Sequence, residues 1–260
     1  MAQLAEREIP MNAQIARYVA DYQRAQNLAQ PKWLAKARES ALADFSRLGF
    51  PTTRLEEWRF TPVGAIADKY FAIASDGMPA DARLIESLVP ESLKAVCING
   101  HFSQKHSTLE HIPRGVQILN LSSVLATNPG LVESYLTKIA PSAQQAFTAL
   151  NTAFLRDGLV IHLAPHAVIE TPLEVVFASA PDGTATTVSH PRLLIVAGEG
   201  SQATILERYV GSGSTLTNAV TEVILGANAV VDHYKVQEES QDAFHIASMN
   251  SFRGCSRDLN

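Results

Sequence analysis

Three residue patterns in this 260-residue chain are of types that do chemistry. The first is Gly198-Glu-Gly200-Ser-Gln-Ala203, which comes after a run of strand formers and fits G-x-G-x-x-A. A helix opening there would present free amides and a favourable dipole to a pyrophosphate. The chain would then be a nucleotide-binding oxidoreductase using Gly198, Gly200 and Ala203. The next residues oppose a helix: Thr204, Ile205, Tyr209 and Val210 are weak helix formers, and Gly211-Ser-Gly213-Ser comes after them. A sharp corner between two strands is the competing reading.

The second pattern is histidine. His101, His106 and His111 are spaced by five, which sets neighbours about 140° apart on a helix and on opposite faces of a strand. His162 and His166 would lie about 13 Å apart along a strand, too far to share a metal. Turn and surface positions suit all five. The third is cysteine. Cys97 lies in an apolar run and reads as core, while Cys255 has Arg253 and Arg257 nearby, cations that lower a thiol pKa. A lone cysteine supplies no ligand set. Glu56 and Glu57 are adjacent carboxylates without an evident acid–base partner, and G-x-S-x-G, Walker A and H-E-x-x-H are all absent. These patterns assign no catalytic, cofactor-binding or metal-binding residue.

The elements that must position such residues change character near residue 150. The first part is rich in helix formers. Ile15, Tyr18, Val19 and Tyr22, then Trp33, Leu34, Ala37, Ala41, Leu42, Phe45 and Leu48, recur at helical spacing. Helices are expected over 11–30 and 31–48, the second entered at Pro31 and stopped at Gly49. Thr61-Pro62 predicts a short helix towards Tyr70, and Thr53-x-x-Glu56 fits a capping box. Strands are expected at 94–98 and 115–121, with helices near 131–139 and 142–155. From Gly158 the runs 159–163, 173–177, 193–197, 203–210, 219–225 and 229–236 are β-branched or alternating. Gly200 and Gly226 open similar segments 26 residues apart, the mark of stacked β-coils. The expected organisation is a helical and mixed region over 1–150, then the first coils of a β-solenoid over 151–260.

Composition narrows the function classes. Charged residues are 18%, hydrophobic ones 46% and the net charge is -5, which speaks against a disordered chain and against nucleic acid as partner. No apolar run reaches the ~18 residues of a membrane span. The opening residues read as no secretory signal, and two cysteines suit a reducing, cytoplasmic setting. Continuous hexapeptide repeats or clustered acids, which a β-helical acyltransferase or polysaccharide enzyme would carry, are missing.

The stretch 49–63, GFPTTRLEEWRFTPV, is the most distinctive in the chain, with Trp58 and Phe60 as apolar anchors between Arg54 and Arg59. It resembles the SufB/SufD family, the scaffold subunits of the Suf iron–sulfur cluster assembly system, and in this opening the SufD branch. CINGHF (97–102), LNTAFLRDGLVIHL (150–163), HPRLLIVAGEG (190–200), TNAVTEVILGANAVVDHYKVQEE (217–239) and FHIAS (244–248) continue in family order. The resemblance implies an α+β chain with a right-handed parallel β-helix core. It implies a non-catalytic scaffold that pairs with a SufB-type paralogue and a SufC-type ATPase. No cofactor is held tightly, and an iron–sulfur cluster is carried transiently on the assembled complex. By the same resemblance the chain stops at Asn260 in mid-repeat. Later coils, the edge that pairs with the SufB-type paralogue and the C-terminal helical region that binds the ATPase would then be missing, and Phe244, Ile246 and Phe252 would be left partly uncovered.

Overall fold

The computed structural model describes residues 13–24, 30–74, 82–86, 88, 92–140, 142–181 and 186–254. Two amphipathic helices open it, α1 (Ala13–Arg24) and α2 (Lys32–Leu48). Pro31, at φ -59°, leads into α2, and Gly49, at φ +64°, ends it while its amide donates to Phe45 O at 2.8 Å. The apolar stripes expected from spacing are the buried ones: Ile15, Tyr18 and Tyr22 on α1, Leu34, Ala41 and Phe45 on α2. The Tyr18 ring meets Phe45 edge-on at 5.8 Å and Phe154 at 6.2 Å, which ties both helices to the rest of the chain.

Several local expectations are corrected. Leu55, not Thr53, precedes a 3-10 turn over Glu56–Trp58, and no side chain caps it. The short helix after Thr61-Pro62 starts later, as α3 (Gly64–Ala67), because burial of Val63 and Ile66 sets where the chain turns inward. Trp58 packs on Phe147 at 5.4 Å between ring centroids, but Phe60 is 88% exposed and anchors nothing. One helix, α4 (Leu121–Thr127), stands where the spacing predicts none; its first turn is capped by Asn120 Oδ1 accepting from Ser123 N at 2.7 Å. The helix expected over 131–139 stops after α5 (Gly130–Glu133), and Thr137 sits in the left-handed region at φ +66°. That over 142–155 shortens to α6 (Ala146–Ala153). The expectations for 11–12, 25–29 and 255–260 lie outside the described residues.

The strands form two mostly parallel sheets. One contains β1 (Ala72–Ile73), β4 (Val116–Asn120), β5 (Leu159–Leu163), β7 (Thr187–Ser189), β8 (Arg192–Ala197), β10 (Thr215–Leu225) and β12 (Phe244–Arg253). The other contains β2 (Leu93–Ile98), β3 (His101–Phe102), β6 (Leu173–Ser179), β9 (Gln202–Gly211) and β11 (Val230–Glu238). Among the described strands only the pairs β2–β3 and β4–β5 run antiparallel. Registry is regular. Leu193 lies opposite Leu159, Thr221 opposite Leu193 and Met249 opposite Thr221; in the other sheet Ile205 lies opposite Leu173 and His233 opposite Ile205. The differences 221 − 193, 249 − 221 and 233 − 205 are each 28 residues.

The main apolar core fills the space between the sheets, from Leu159, Ile161, Leu193 and Ile195 on one side to Val175, Phe177 and Ile205 on the other. Helices cover the outer face of the larger sheet: Leu121, Val124 and Val132 pack over Val160, Leu194 and Ile224. The outer face of the smaller sheet is covered by the 3-10 turn Ala82–Ile85, Ile85 lying over Val96, Val176 and Val210. Glu174 and Arg208 hold that cover: Glu174 Oε2 accepts from Leu88 N at 3.1 Å, and Arg208 Nη1 donates to Glu86 O at 2.6 Å. Of the three residues expected to lose cover, Phe244 and Ile246 are half-buried against the N-terminal layer, Phe244 meeting Phe71 at 5.9 Å. Phe252 is 42% exposed, on a strand that pairs with β10 alone among the described residues.

Helix α6 is fastened to the larger sheet by buried polar groups. Asn151 Nδ2 donates to Pro191 O at 2.9 Å and to Asn218 O at 2.8 Å. The fully buried Arg192 donates through Nε to Glu222 Oε2 at 3.0 Å and through Nη1 to Asn151 Oδ1 at 3.0 Å. Glu222 is also fully buried and accepts from Thr137 N at 3.1 Å. Removing one member of such a pair strands a charge out of water. Arg192→Met should therefore cost about 3–5 kcal/mol in urea unfolding, and adding Glu222→Met should recover much of that loss.

Candidate functional site

The glycine motif resolves as a strand corner. Residues 198–201 turn and lead directly into β9, so no helix opens there. This corrects the nucleotide reading, and the reason is steric. A Cβ on Gly198 would lie 2.7 Å from Pro165 N and 2.8 Å from Leu163 O, and one on Gly226 would lie 2.8 Å from Glu199 N. Successive corners stack backbone on backbone, leaving no room for a side chain or for a phosphate. Ala203, the last residue of the motif, is a core residue of β9.

The histidines singled out by spacing do not converge. His111 and His166 occupy left-handed turn positions, at φ +62° and +63°. His106 Nδ1 pairs with Ser103 Oγ at 2.8 Å, His101 stands 3.9 Å from Asp157, and His162 lies on β5. Among the described residues no group of three or more His, Cys, Asp or Glu side chains is placed to hold a metal ion. Cys97 is buried in β2, and burial, with the Asp157 charge behind it, pushes its thiol pKa well up. Glu56 and Glu57 sit in the 3-10 turn with Trp58, and Cys255 lies outside the described residues.

What the structure does bring together is a polar cluster between the sheets that spacing arguments pass over. Strand alternation points Ala203, Ile205, Glu207 and Tyr209 the same way, into the core. Glu207 is fully buried there. Its Oε2 meets His233 Nε2 at 2.6 Å, Thr221 Oγ1 donates to Oε1 at 3.1 Å, the Tyr209 hydroxyl donates to Oε1, and Lys235 Nζ stands 3.9 Å away. A second carboxylate, Glu239, extends the row: it meets His245 Nδ1 at 2.7 Å and accepts from Thr217 Oγ1 at 2.5 Å. The Tyr209 and His245 rings touch edge-on at 4.5 Å, joining the two halves. The one sequence signal is an acidic residue at an inward position of an alternating strand. Its partners Thr221 and His233 stand 14 and 26 residues away in the chain, so only registry reveals them.

Burial alone would raise the Glu207 pKa, but the His233 hydrogen bond, the Lys235 charge and the Tyr209 hydroxyl outweigh it and hold the carboxyl below its usual range. The Tyr209 phenol is pushed far up, by burial first and the Glu207 charge second. The cluster therefore keeps an ionised carboxylate beside a phenol that stays protonated. It can hold and pass hydrogen bonds, and it contains no activated nucleophile. Phe177 stacks on Tyr209 at 5.1 Å and pairs in register with Cys97, so an aromatic ring separates the thiol from the cluster.

These environments have two measurable consequences. Gly198→Ala should destabilise the fold by about 1–3 kcal/mol through backbone overlap, and NAD or NADP should shift neither variant nor parent in thermal unfolding. The second concerns His190, stacked on Phe154 at 5.3 Å; Asn218 Nδ2 stands 3.1 Å from its Nδ1. Burial, with Arg156 second, lowers the His190 pKa to about 3, so it is neutral in the folded protein. Below pH 6.5 the unfolded chain takes a proton that the folded chain refuses. Its contribution is thus complete above pH 6.5 and lost progressively towards pH 3. At ~1.4 kcal/mol per pH unit, about 2 kcal/mol should disappear between pH 6.5 and about pH 5. Urea midpoints at the two pH values should show this for the parent, and His190→Gln should flatten it.

With the geometry in place, comparison with known proteins gives a consistent answer. Residues 11–175 match the SufBD protein N-terminal region, and residues 177–254 match the SufBD core domain of the SUF iron–sulfur cluster assembly system. An iron–sulfur cluster assembly SufBD family protein of Synechocystis is 29% identical over 228 residues, covering 83% of this chain and 50% of that protein. A protein of the same description from Mycobacterium tuberculosis is 27% identical, over 73% of this chain and 24% of its own length. Protein ABCI7, chloroplastic, of Arabidopsis thaliana is 24% identical, over 82% of this chain and 46% of its own. The chain thus spans half or less of the length of these relatives. Its family models meet at residues 175 and 177 and together cover nearly all of the described residues, and the chain belongs to the SufBD family of iron–sulfur cluster assembly proteins.

Proposed function

We propose that this chain acts as a non-catalytic scaffold of the SufD type in cytoplasmic iron–sulfur cluster assembly, working with a SufB-type paralogue and a SufC-type ATPase. The observation that carries the reading is the ordered match of both family regions across residues 11–254. The SufD assignment rests on the opening GFPTTRLEEWRFTPV, whose Trp58 lies against Phe147 at the start of α6. The 28-residue step shared by the pairs β7–β10, β8–β10, β10–β12 and β9–β11 supports a right-handed parallel β-helix over residues 151–260, after an N-terminal region over 1–150. The cluster is cargo, carried transiently by the assembled complex. The ATPase is proposed to engage the C-terminal part of the family, outside the matched residues.

Co-expression with the SufB-type and SufC-type proteins of the same organism tests this. The natural protein that contains this sequence should co-elute with the SufB-type partner in size-exclusion chromatography. By itself it should neither hydrolyse ATP nor retain stoichiometric visible absorption bands after anaerobic reconstitution with iron and sulfide and then desalting. Failure to associate with the SufB-type protein, or a stable cluster on the isolated chain, would overturn the scaffold reading.

A further inference from the structure

The two ends of α6 are treated unequally. At its C-terminus the buried Arg38 donates from Nε to Ala153 O at 2.8 Å, a cation placed where the helix dipole is negative. At its N-terminus Gln145 provides no side-chain cap, because its Oε1 accepts from Thr148 Oγ1 at 2.9 Å instead. The first intrahelical bond is Ala149 N to Gln145 O. The amides of Ala146, Phe147 and Thr148 find no acceptor among the described residues, and three free N–H groups at a helix start attract an anion.

These residues line a groove of about 400 Å³, a size that suits a small-molecule ligand. A second, independent observation comes from Asn218, which lines the same groove and is 1% exposed. Its Nδ2 donates to Phe147 O at 2.9 Å and faces His190 Nδ1, which leaves Oδ1 as a buried acceptor without a partner. A buried carbonyl oxygen in that state asks for a donor. At the rim stands the exposed carboxylate of Glu57, which favours a cation, and Trp58, Phe147 and Ile246 supply apolar wall.

The geometry points to a site for a free α-amino acid with an apolar or aromatic side chain. The α-carboxylate takes the unpaired amides at the start of α6, the ammonium group takes Asn218 Oδ1 and the field of Glu57, and the side chain lies against Trp58, Phe147 and Ile246. Neither a simple anion nor a simple cation satisfies both ends: an anion leaves Asn218 Oδ1 unpaired and faces Glu57, and a cation meets the positive end of the helix. The site owes nothing to cluster chemistry and stands whether or not the scaffold reading does.

Ligand-observed NMR titration of the whole chain with L-phenylalanine, N-acetyl-L-phenylalanine and L-phenylalaninamide separates the contributions. L-Phenylalanine should bind saturably, and each derivative, lacking one charged end, about tenfold more weakly. Ala146→Pro removes one helix-start amide at a position where proline is tolerated, after a Gln145 already extended at φ -122°, ψ 106°. It should weaken L-phenylalanine several-fold with thermal unfolding unchanged. Glu57→Gln, on the surface, should weaken L-phenylalanine and should not weaken the anionic N-acetyl compound. Equal binding of all three compounds, or no saturation by L-phenylalanine, would overturn the proposal. So would affinity untouched by both substitutions.

Discussion

Parallel strands 28 residues apart lie side by side at one end of both sheets, Leu193 beside Thr221 beside Met249 in one and Ile205 beside His233 in the other. This registry determines which side chains share the space between the sheets, because a shift of one residue would send every inward side chain outward. Glu207 meets His233 only because their strands stand one step apart and His233, two residues before Lys235, presents the same face. The corners enforce the step. Gly226 lies against Glu199 and Gly198 against Pro165, so close that a methyl group at either would overlap backbone atoms.

The protein carries two kinds of buried polar group with different consequences. Around Arg192 the groups fasten one layer to another: the guanidinium ties β8 to Glu222 on β10 and to Asn151 on α6. These bonds orient a helix whose apolar surface alone would tolerate sliding, a common way for buried polar contacts to add specificity. Around Glu207 the groups lie between the sheets, where aliphatic residues would pack as well. The charge there is sustained by His233, Lys235 and Tyr209 acting together, so each depends on the others.

Family membership and geometry bear on different questions. The family regions identify the system to which the chain belongs, whereas they are silent on the groove beside α6. That groove forms where four separate stretches meet: the turn carrying Trp58, the first turn of α6, and the neighbouring strands β10 and β12. The distinctive opening stretch of the sequence thus has a physical role in closing one wall. Its most conspicuous aromatic, Phe60, nevertheless stands in solvent.

The long amphipathic helices, the β-branched strands from Leu159 onward and the family are legible in the chain alone, since they rest on local periodicity and on strings of adjacent residues. Ile15, Tyr18, Phe45, Leu193 and Ile205 are buried as their spacing requires. Short elements depend on packing instead. Gly64–Ala67 and Gly130–Glu133 are too brief for propensity to fix, and burial of Val63 and Val132 sets their limits. The G-x-G-x-x-A string is ambiguous because glycine serves both a phosphate loop and a stacked corner. Only the position of the neighbouring corner, at Leu163–Pro165, distinguishes them. The polar cluster and the groove are hidden for the same reason. Glu207 with His233, and Asn218 with Phe147, are separated by 26 and 71 residues, and distance along the chain carries no information about such pairs until the strands are in register.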